Sequence, residues 1–403
     1  MRHPLLLAAL VVLPSSLTAL STGCGGDERD LTGSGGAGGS GAGGSGTQVG
    51  GASVGGSGPA AGIALCDGAT APTNTLICPK AGPTTPPNCA QVKAKPVQVC
   101  GVLADVDPGT ASTRTTSTDE FAGTGPVDTS CFEQPNWKVA GTPKSVKMKG
   151  FVRNFSSGCD AKGVKIEVFT VKRGGADDGA TDKLIGAAVT TSSGPCTGAT
   201  DCKLVDVEKC LDGRTWRGYE YPGLPTETEL LIKTSSADDS DNYASLYDFN
   251  IYISNDDPGV ADGFWEHPLR AVVKSDFSLI PQVAFGGSIT PGNGAVAGEI
   301  HDCGDVRIGG ATFGISRSGA AESYFTDKEE APLPDSQATS TSSLGLYSAY
   351  DLTPGPVRVV ALARSSAGVY TGLGYYDVRV FPDAITSMTF RGFRPHQAAT
   401  ASK

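Results

Sequence analysis

"MKGFVRNFSSGCDAKGVKIEVF" (Met148–Phe169) holds two alternating runs separated by a short loop of Ser, Gly and Cys. Val164, Ile166 and Val168 fall on one face, with Lys165 and Glu167 opposite. A period of two is the signature of a half-buried strand. Val146 to Val152 alternates in the same way just before it. Leu184 to Val189, Arg217 to Tyr221, Thr226 to Thr234 and Tyr247 to Ile253 continue as short β-rich runs between Gly, Pro and Asp turns. Helical periodicity is nearly absent, so the class is all-β, and regular short strands with turn punctuation indicate a sandwich.

The pattern recurs further along. "VAGEIHDCGDVRIGGATFGIS" (Val296–Ser316) repeats the order of strand, cysteine loop, Gly and second strand. "RGYEYPGLPTETELLIKTS" (Arg217–Ser235) is matched by "LGLYSAYDLTPGPVRVVALA" (Leu344–Ala363), each with Gly, then Tyr, then a Leu-Pro or Leu-Thr-Pro turn into a β-branched run. Self-similarity at this scale predicts two copies of one unit.

On these residues the chain resembles the carboxypeptidase regulatory-like domain, a transthyretin-like seven-strand sandwich. The first copy supplies Val164, Gly218, Tyr219, Leu224 and Pro225; the second supplies Gly345, Tyr347, Leu352, Pro354 and Gly355. The resemblance implies β-sandwiches over residues 140–256 and 293–393, joined by a connector at 257–292 with one short helix between Ser275 and Gly294, and followed by a tail at 394–403. The layout is also similar to a set of tandem-domain lipoproteins of unknown function, a likeness that brings no chemistry.

The N-terminus carries a different message. Arg2 and His3 precede an apolar run from Leu5 to Leu13, then Pro14 and small residues. That run is too short to span a bilayer and reads as a secretory signal, residues 1–23. Leu20-Ser21-Thr22-Gly23-Cys24 resembles the lipobox of bacterial lipoproteins, departing from it in having Ser21 where that family prefers Leu. The resemblance implies that Cys24 carries the lipid and anchors the protein to a membrane. Gly25, in place of the Asp linked to inner-membrane retention, points to the outer membrane, facing the periplasm or the cell surface. Residues 24–62 form a Gly/Ser tether, expected to span roughly 30 Å as a coil.

Removing Cys24 from the 11 cysteines leaves an even set: Cys66, Cys78, Cys89, Cys100, Cys131, Cys159, Cys196, Cys202, Cys210 and Cys303. In an exported chain such a set is expected to pair as disulfides. The first four lie in an irregular lead-in, residues 63–139. Cys303 stands alone in the second sandwich, so parity sends its bond outside that sandwich, and Cys159, in the matching loop, is the expected partner. Zinc spacing of the C-x2-C type never occurs twice.

The net charge of −10 and pI near 5.0 argue against nucleic acid and anionic lipid as partners. His267, His301 and His396 stand far apart, with no H-E-x-x-H and no G-x-S-x-G elbow, since the Ser-rich segments, the Gly51-Ala52-Ser53-Val54-Gly55 stretch included, lie in loops or the tether. His301-Asp302-Cys303 fits a metal cluster less well than a turn whose cysteine is oxidised. Asp238-Asp239-Ser240-Asp241-Asn242, Asn255-Asp256-Asp257 and Asp262 offer oxygen ligands for calcium, but lack EF-hand spacing and read first as solvated turns. Trp216, Tyr219, Tyr221, Tyr243, Tyr247 and Tyr252 could line a sugar- or peptide-binding face, though at strand spacing such residues belong more often to a core. No catalytic residue, metal or cofactor is expected. The expected function is a non-enzymatic envelope lipoprotein whose sandwiches serve binding, adhesion or scaffolding, with an envelope protein or glycan as partner. The alternative is an accessory subunit or cryptic hydrolase acting on envelope glycans or peptides.

Overall fold

The computed structural model describes residues 97–99, 102–104, 111–116, 121–129, 140–156, 161, 163–171, 183–195, 215–238, 243–328, 332–364, 366 and 370–391. The lead-in contributes β1 (Val97–Val99), β2 (Val102–Ala104) and β3 (Thr113–Arg114). The first copy runs through β4 (Ser145–Asn154), β5 (Val164–Thr170), β6 (Lys183–Leu184), β7 (Val189–Thr190), β8 (Ser192–Pro195), β9 (Thr215–Pro225), β10 (Glu229–Ser236) and β11 (Tyr243–Tyr252). It continues with β12 (Phe264–Glu266) and β13 (Leu269–Val273), then α1 (Lys274–Phe285). The second copy comprises β14 (Gly294–His301), β15 (Ile308–Gly309), β16 (Thr312–Ile315), β17 (Ala321–Phe325), β18 (Pro334–Asp335), β19 (Leu346–Leu352), β20 (Gly355–Arg364), β21 (Tyr370–Val380), β22 (Ala384–Met388) and β23 (Phe390–Arg391). The chain is predominantly β, as its alternation requires.

The same strand arrangement occurs in both copies, down to the rung. In the first, β4 pairs antiparallel with β9 and parallel with β12 and β13. In the second, β14 pairs antiparallel with β19 and parallel with β22 and β23. Met148 faces Tyr221 and Gly150 faces Tyr219; correspondingly Val296 faces Ala349 and Gly298 faces Tyr347. Each ladder slips once, between Val146 and Met148 and between Gly294 and Val296. The bulge puts Gly223 (φ 74°) and Asp351 (φ 57°) in the left-handed region. Gly tolerates that conformation freely and Asp better than most residues. Asp351 also accepts hydrogen bonds there from the Thr290 amide (2.7 Å) and Asn293 Nδ2 (2.9 Å).

In both copies the last strand is broken, and a tyrosine bonds to the break. Tyr219 Oη donates to the His267 carbonyl at 2.5 Å, and Tyr347 Oη donates to the Met388 carbonyl at 2.7 Å. Those carbonyls cross so close to the first strand that only a residue without Cβ fits below them. A Cβ on Gly150 would lie 2.3 Å from the His267 oxygen, and one on Gly298 would lie 1.9 Å from that of Met388. Gly150 with Tyr219, and Gly298 with Tyr347, are thus the two halves of one clamp.

Two stretches differ from the expected boundaries. Residues 264–273, expected in the connector, complete the first copy's sheet as β12 and β13. The lead-in is not wholly irregular: β2 pairs with β16, and β3 pairs with β15. Runs of two or three residues carry too little alternation to be recognised. The expected helix is α1, with its C-terminal Gly286 at φ 73° closing onto the Gln282 carbonyl.

Each copy has its own core. Val146, Met148, Val164, Ile166, Val168, Tyr221, Leu224 and Ile232 fill the first. Val296, Ile300, Phe313, Tyr347, Val357, Val359, Tyr376 and Phe390 fill the second. Leu231 and Phe249 belong to the second core although they lie on β10 and β11. That explains the unbroken apolar run Leu230-Leu231-Ile232, since a strand buried on both faces loses its alternation. The copies are also hydrogen-bonded together: β11 pairs parallel with β22 from Ser245–Ala384 to Phe249–Met388.

Replacing either clamp glycine should be costly. Gly298→Ala and Gly150→Ala are each expected to destabilise by about 2–4 kcal/mol, since backbone must move to admit the methyl group. Tyr347→Phe should cost about 1–3 kcal/mol by leaving the Met388 carbonyl unpaired. Urea denaturation measures all three, and a wild-type midpoint for Gly298→Ala would refute the clamp.

Candidate functional site

The sequence candidates separate sharply once placed. Cys24, Cys66, Cys78, Cys89, Cys100, Cys131, Cys159, Cys196, Cys202, Cys210 and His396 lie outside the described residues, as do Asp239 to Asn242. Cys303 is disulfide-bonded and packs against the second core. The aromatic candidates mostly face inward. Tyr219, Tyr221 and Tyr252 are buried, and Tyr247 stacks on Phe381 with centroids 3.6 Å apart. The side chain of Trp216 lies outside the described set. In the 254–257 loop, Asp257 accepts from the Ser254 amide and Asn255 Oδ1 accepts from Thr226 Oγ1, so these oxygens brace the turn. Among the described residues no group of three or more His, Cys, Asp and Glu could hold a metal.

What does gather is an ionic cluster where β14 ends. The positions of Arg153 and Arg270, paired in the first copy, are taken in the second by His301 and Arg391. His301 has a fully buried side chain, and both ring nitrogens meet carboxylates: Nδ1 lies 2.7 Å from Asp305 Oδ1 and Nε2 lies 2.9 Å from Glu299 Oε2. Arg307 holds Glu299 with two bonds, Nε to Oε2 at 2.8 Å and Nη2 to Oε1 at 3.1 Å. Arg391 Nε lies 3.6 Å from Asp305. The Phe121 ring covers His301 at 4.8 Å, with the guanidinium carbons of Arg307 and Arg391 at 5.4 and 5.2 Å from its centroid.

Electrostatics follow from that geometry. Burial opposes the charged form of His301, but the hydrogen bonds and charges of Asp305 and Glu299 outweigh it and hold its pKa above the ordinary value. Burial likewise opposes ionisation of Glu299, yet His301, Arg270 and Arg391 keep it below the usual carboxylate range. Asp248, on β11, is pushed up to about 6 by loss of water, against the pull of Arg391 and a Ser387 hydrogen bond. Asp302 caps the turn beside the cluster. Its Oδ1 accepts from the Gly304 and Val306 amides, and its Oδ2 accepts from Arg114 Nε and the Asp128 amide. Both oxygens are committed to the protein, which is why His301-Asp302-Cys303 forms a braced turn.

His267 behaves in the opposite way. Its ring stacks on Trp265 at 4.4 Å, and Nε2 is buried with no hydrogen-bond partner. Burial, with Arg391 and Arg270 nearby, depresses its pKa to about 3. Chemically the arrangement around His301 pairs charges inside the protein. The Glu299–His301–Asp305 grouping was not legible in the sequence reading, although Glu299-x-His301 and the four-residue spacing to Asp305 were available as a signal.

No family model and no curated protein matches the chain. Among solved structures, the shaft pilin SpaA from Lactobacillus rhamnosus GG is 13% identical, covering 62% of this chain and 100% of its own at a TM-score of 0.17. The Streptococcal ancillary pilin is 11% identical, covering 74% and 77% at 0.15, and GBS52, the minor pilin of Streptococcus agalactiae, is 11% identical, covering 61% and 94% at 0.15. Scores this low carry no argument about function. No described helix is long and apolar enough to cross a membrane.

The neutral His267 sets an acid limit on stability. Its folded pKa lies below the unfolded value, so the unfolded chain takes the proton first and stability falls as pH drops from 6.5 toward 3. Each pH unit in that window should cost about 1.4 kcal/mol. Comparing denaturant midpoints at pH 7 and pH 4.5, wild type should lose about 2–3 kcal/mol more than His267→Phe. Equal losses would show that His267 is not the group responsible.

Proposed function

We propose that this chain is a lipid-anchored, non-catalytic cell-envelope protein whose joined β-sandwiches present one rigid surface for adhesion or for holding other envelope components. The observation that carries the reading is the β11–β22 pairing, reinforced by Leu231 and Phe249 reaching into the second core. Such a joint suppresses the relative motion that separate modules would have, which suits a scaffold better than a closing active site. The use of ionisable groups for internal pairing supports the non-catalytic part. The anchor rests on Leu20 to Cys24, and the standoff from the membrane on the tether that follows. Several acyl chains on one cysteine hold a protein stably, whereas a single chain binds only marginally. The outer membrane is the home this reading assigns, with an envelope protein or glycan as the class of partner.

Mass spectrometry of the membrane fraction should find an acylated Cys24 as the mature N-terminus, and an unmodified Cys24 or cleavage elsewhere would refute the anchor. The purified ectodomain should show no turnover on peptide, ester or glycan panels. Rates on the order of 1 per second, lost in His301→Ala but retained in a folded surface variant, would overturn the scaffold reading.

A further inference from the structure

The turn that leads from α1 into β14 holds the one Asn-Gly step in the chain, Asn293-Gly294. Asn-Gly is the step most prone to self-modification, because glycine, having no Cβ, lets its amide nitrogen approach the preceding side chain. The nitrogen of Gly294 would attack Cγ of Asn293, a C–N bond forming as the Cγ–Nδ2 bond breaks. Nδ2 leaves as ammonia, taking the Gly294 amide proton, and a cyclic succinimide remains. Water then opens the ring at either carbonyl, to aspartate or to isoaspartate. Asn293 is only half-buried, so water reaches the turn.

In the folded chain both reacting groups are tied. Asn293 Nδ2 donates to Asp351 Oδ1 at 2.9 Å and to the Asp351 carbonyl at 3.4 Å. The Asn293 amide donates to the Thr290 carbonyl at 2.8 Å, and the Asn293 carbonyl accepts from the Asp383 amide at 2.7 Å. Gly294 is buried and faces Leu352 at the start of the β14–β19 ladder. A Cβ on Gly294 would lie 2.3 Å from the Phe381 oxygen and 2.9 Å from that of Ala384, so the β21–β22 turn crowds its backbone. Ring closure needs Cγ to swing onto the Gly294 nitrogen and the intervening backbone to rotate with it, which breaks the Asp351 bonds. We propose that Asn293-Gly294 is a self-modification site held dormant by Asp351: Asn293 converts only when the turn opens, and the product keeps the turn from closing.

The product differs in charge and in length. A carboxylate at position 293 would face Asp351 where an amide now donates. Asp383, whose Oδ1 accepts from the Gly292 amide at 2.8 Å, stands beside the same turn. Like charges at hydrogen-bond distance repel. Burial opposes ionisation of Asp351, yet hydrogen bonds from Asn293 and Thr290 outweigh it and hold the carboxyl below its usual range. Trading the Asn293 donor for an anion reverses that help. Isoaspartate also adds a backbone carbon just before a strand whose first residue is already crowded. The change is one-way, since the ammonia is lost, and it weakens the grip of Asp351 on Thr290 and Asn293 at the entry to β14.

Peptide mapping of the full oxidised chain by mass spectrometry, with isoaspartate read separately, measures conversion at Asn293. In mildly alkaline buffer the folded chain should convert at least about tenfold more slowly than the same chain unfolded in guanidinium chloride. Asp351→Gly keeps a residue suited to the left-handed φ of 57° and removes the carboxylate. Conversion in that folded variant should rise about tenfold, the loss of one charge-assisted hydrogen bond. Asp351→Asn keeps an acceptor and should stay within about threefold of wild type. The product mimic Asn293→Asp should lower hydrogen-exchange protection of the Thr290, Gly292 and Asp383 amides by about tenfold or more. In wild type, guanidinium chloride below the unfolding transition should raise conversion and Asp383 exchange in the same proportion, a comparison that needs no variant to fold. Equal conversion in folded and unfolded chains would overturn the proposal, as would no conversion in the unfolded chain. So would Asp351→Gly converting at the wild-type rate, Asp351→Asn converting as fast as Asp351→Gly, conversion that does not follow Asp383 exchange, or full protection in Asn293→Asp.

Discussion

The parallel pairing of β11 with β22 is the contact on which the rest of the arrangement depends. It inserts a strand of the first copy beside the last strand of the second, so one sheet continues through both. Because β22 is also the strand that pairs with β14, the joint and the second core share their backbone. Leu231, Phe249 and Tyr247 then face the second copy, and their apolar surface is buried there without any linker having to be ordered. Each sheet of a sandwich normally presents one polar outer face. Here that face of β10 and β11 has become interior, and each copy lacks part of its covering without the other.

Inside this frame the same backbone template hosts two electrostatic solutions. At the break in the last strand, both copies use a buried tyrosine hydroxyl to satisfy a carbonyl that regular pairing would leave stranded. Burial raises both tyrosines well above the usual range, so the hydroxyls stay donors. Three residues further on the copies diverge. The first keeps two arginines, Arg153 and Arg270; the second places His301 opposite Arg391 and surrounds them with Glu299, Asp305 and Arg307. A buried charge is tolerable only when paired, and the second copy meets that condition with two acids around one imidazole.

Much of this was readable in the sequence, and the failures have physical causes. Val164, Ile166 and Val168 marked β5 because one of its faces is buried and the other is not. Tyr219 and Tyr347 marked the repeat because the clamp gives the tyrosine hydroxyl a fixed task. β12 and β13 were missed because Pro268 and the broken pairing at His267 disrupt alternation where the strand is interrupted. β1, β2 and β3 are too short to carry a period at all. The ionic cluster was hidden for another reason: Arg391 and Phe121 are distant from Glu299 in sequence, and only the fold brings them together.

The path of the chain has a mechanical consequence. β1 and β2 lie in the sheet of β16, β20 and β21, so the lead-in attaches to the second copy before the backbone enters the first. Tension arriving from the N-terminal side of Val97 is therefore delivered to the second copy across the hydrogen bonds of β2 and β3. The first copy, though nearer in sequence, hangs outside that load path, held by β11 and β22 and by the loops around them. Under a pull the two halves would not unravel in their order along the chain: the short pairings of β2 with β16 and β3 with β15 bear the force first, while the first copy remains shielded.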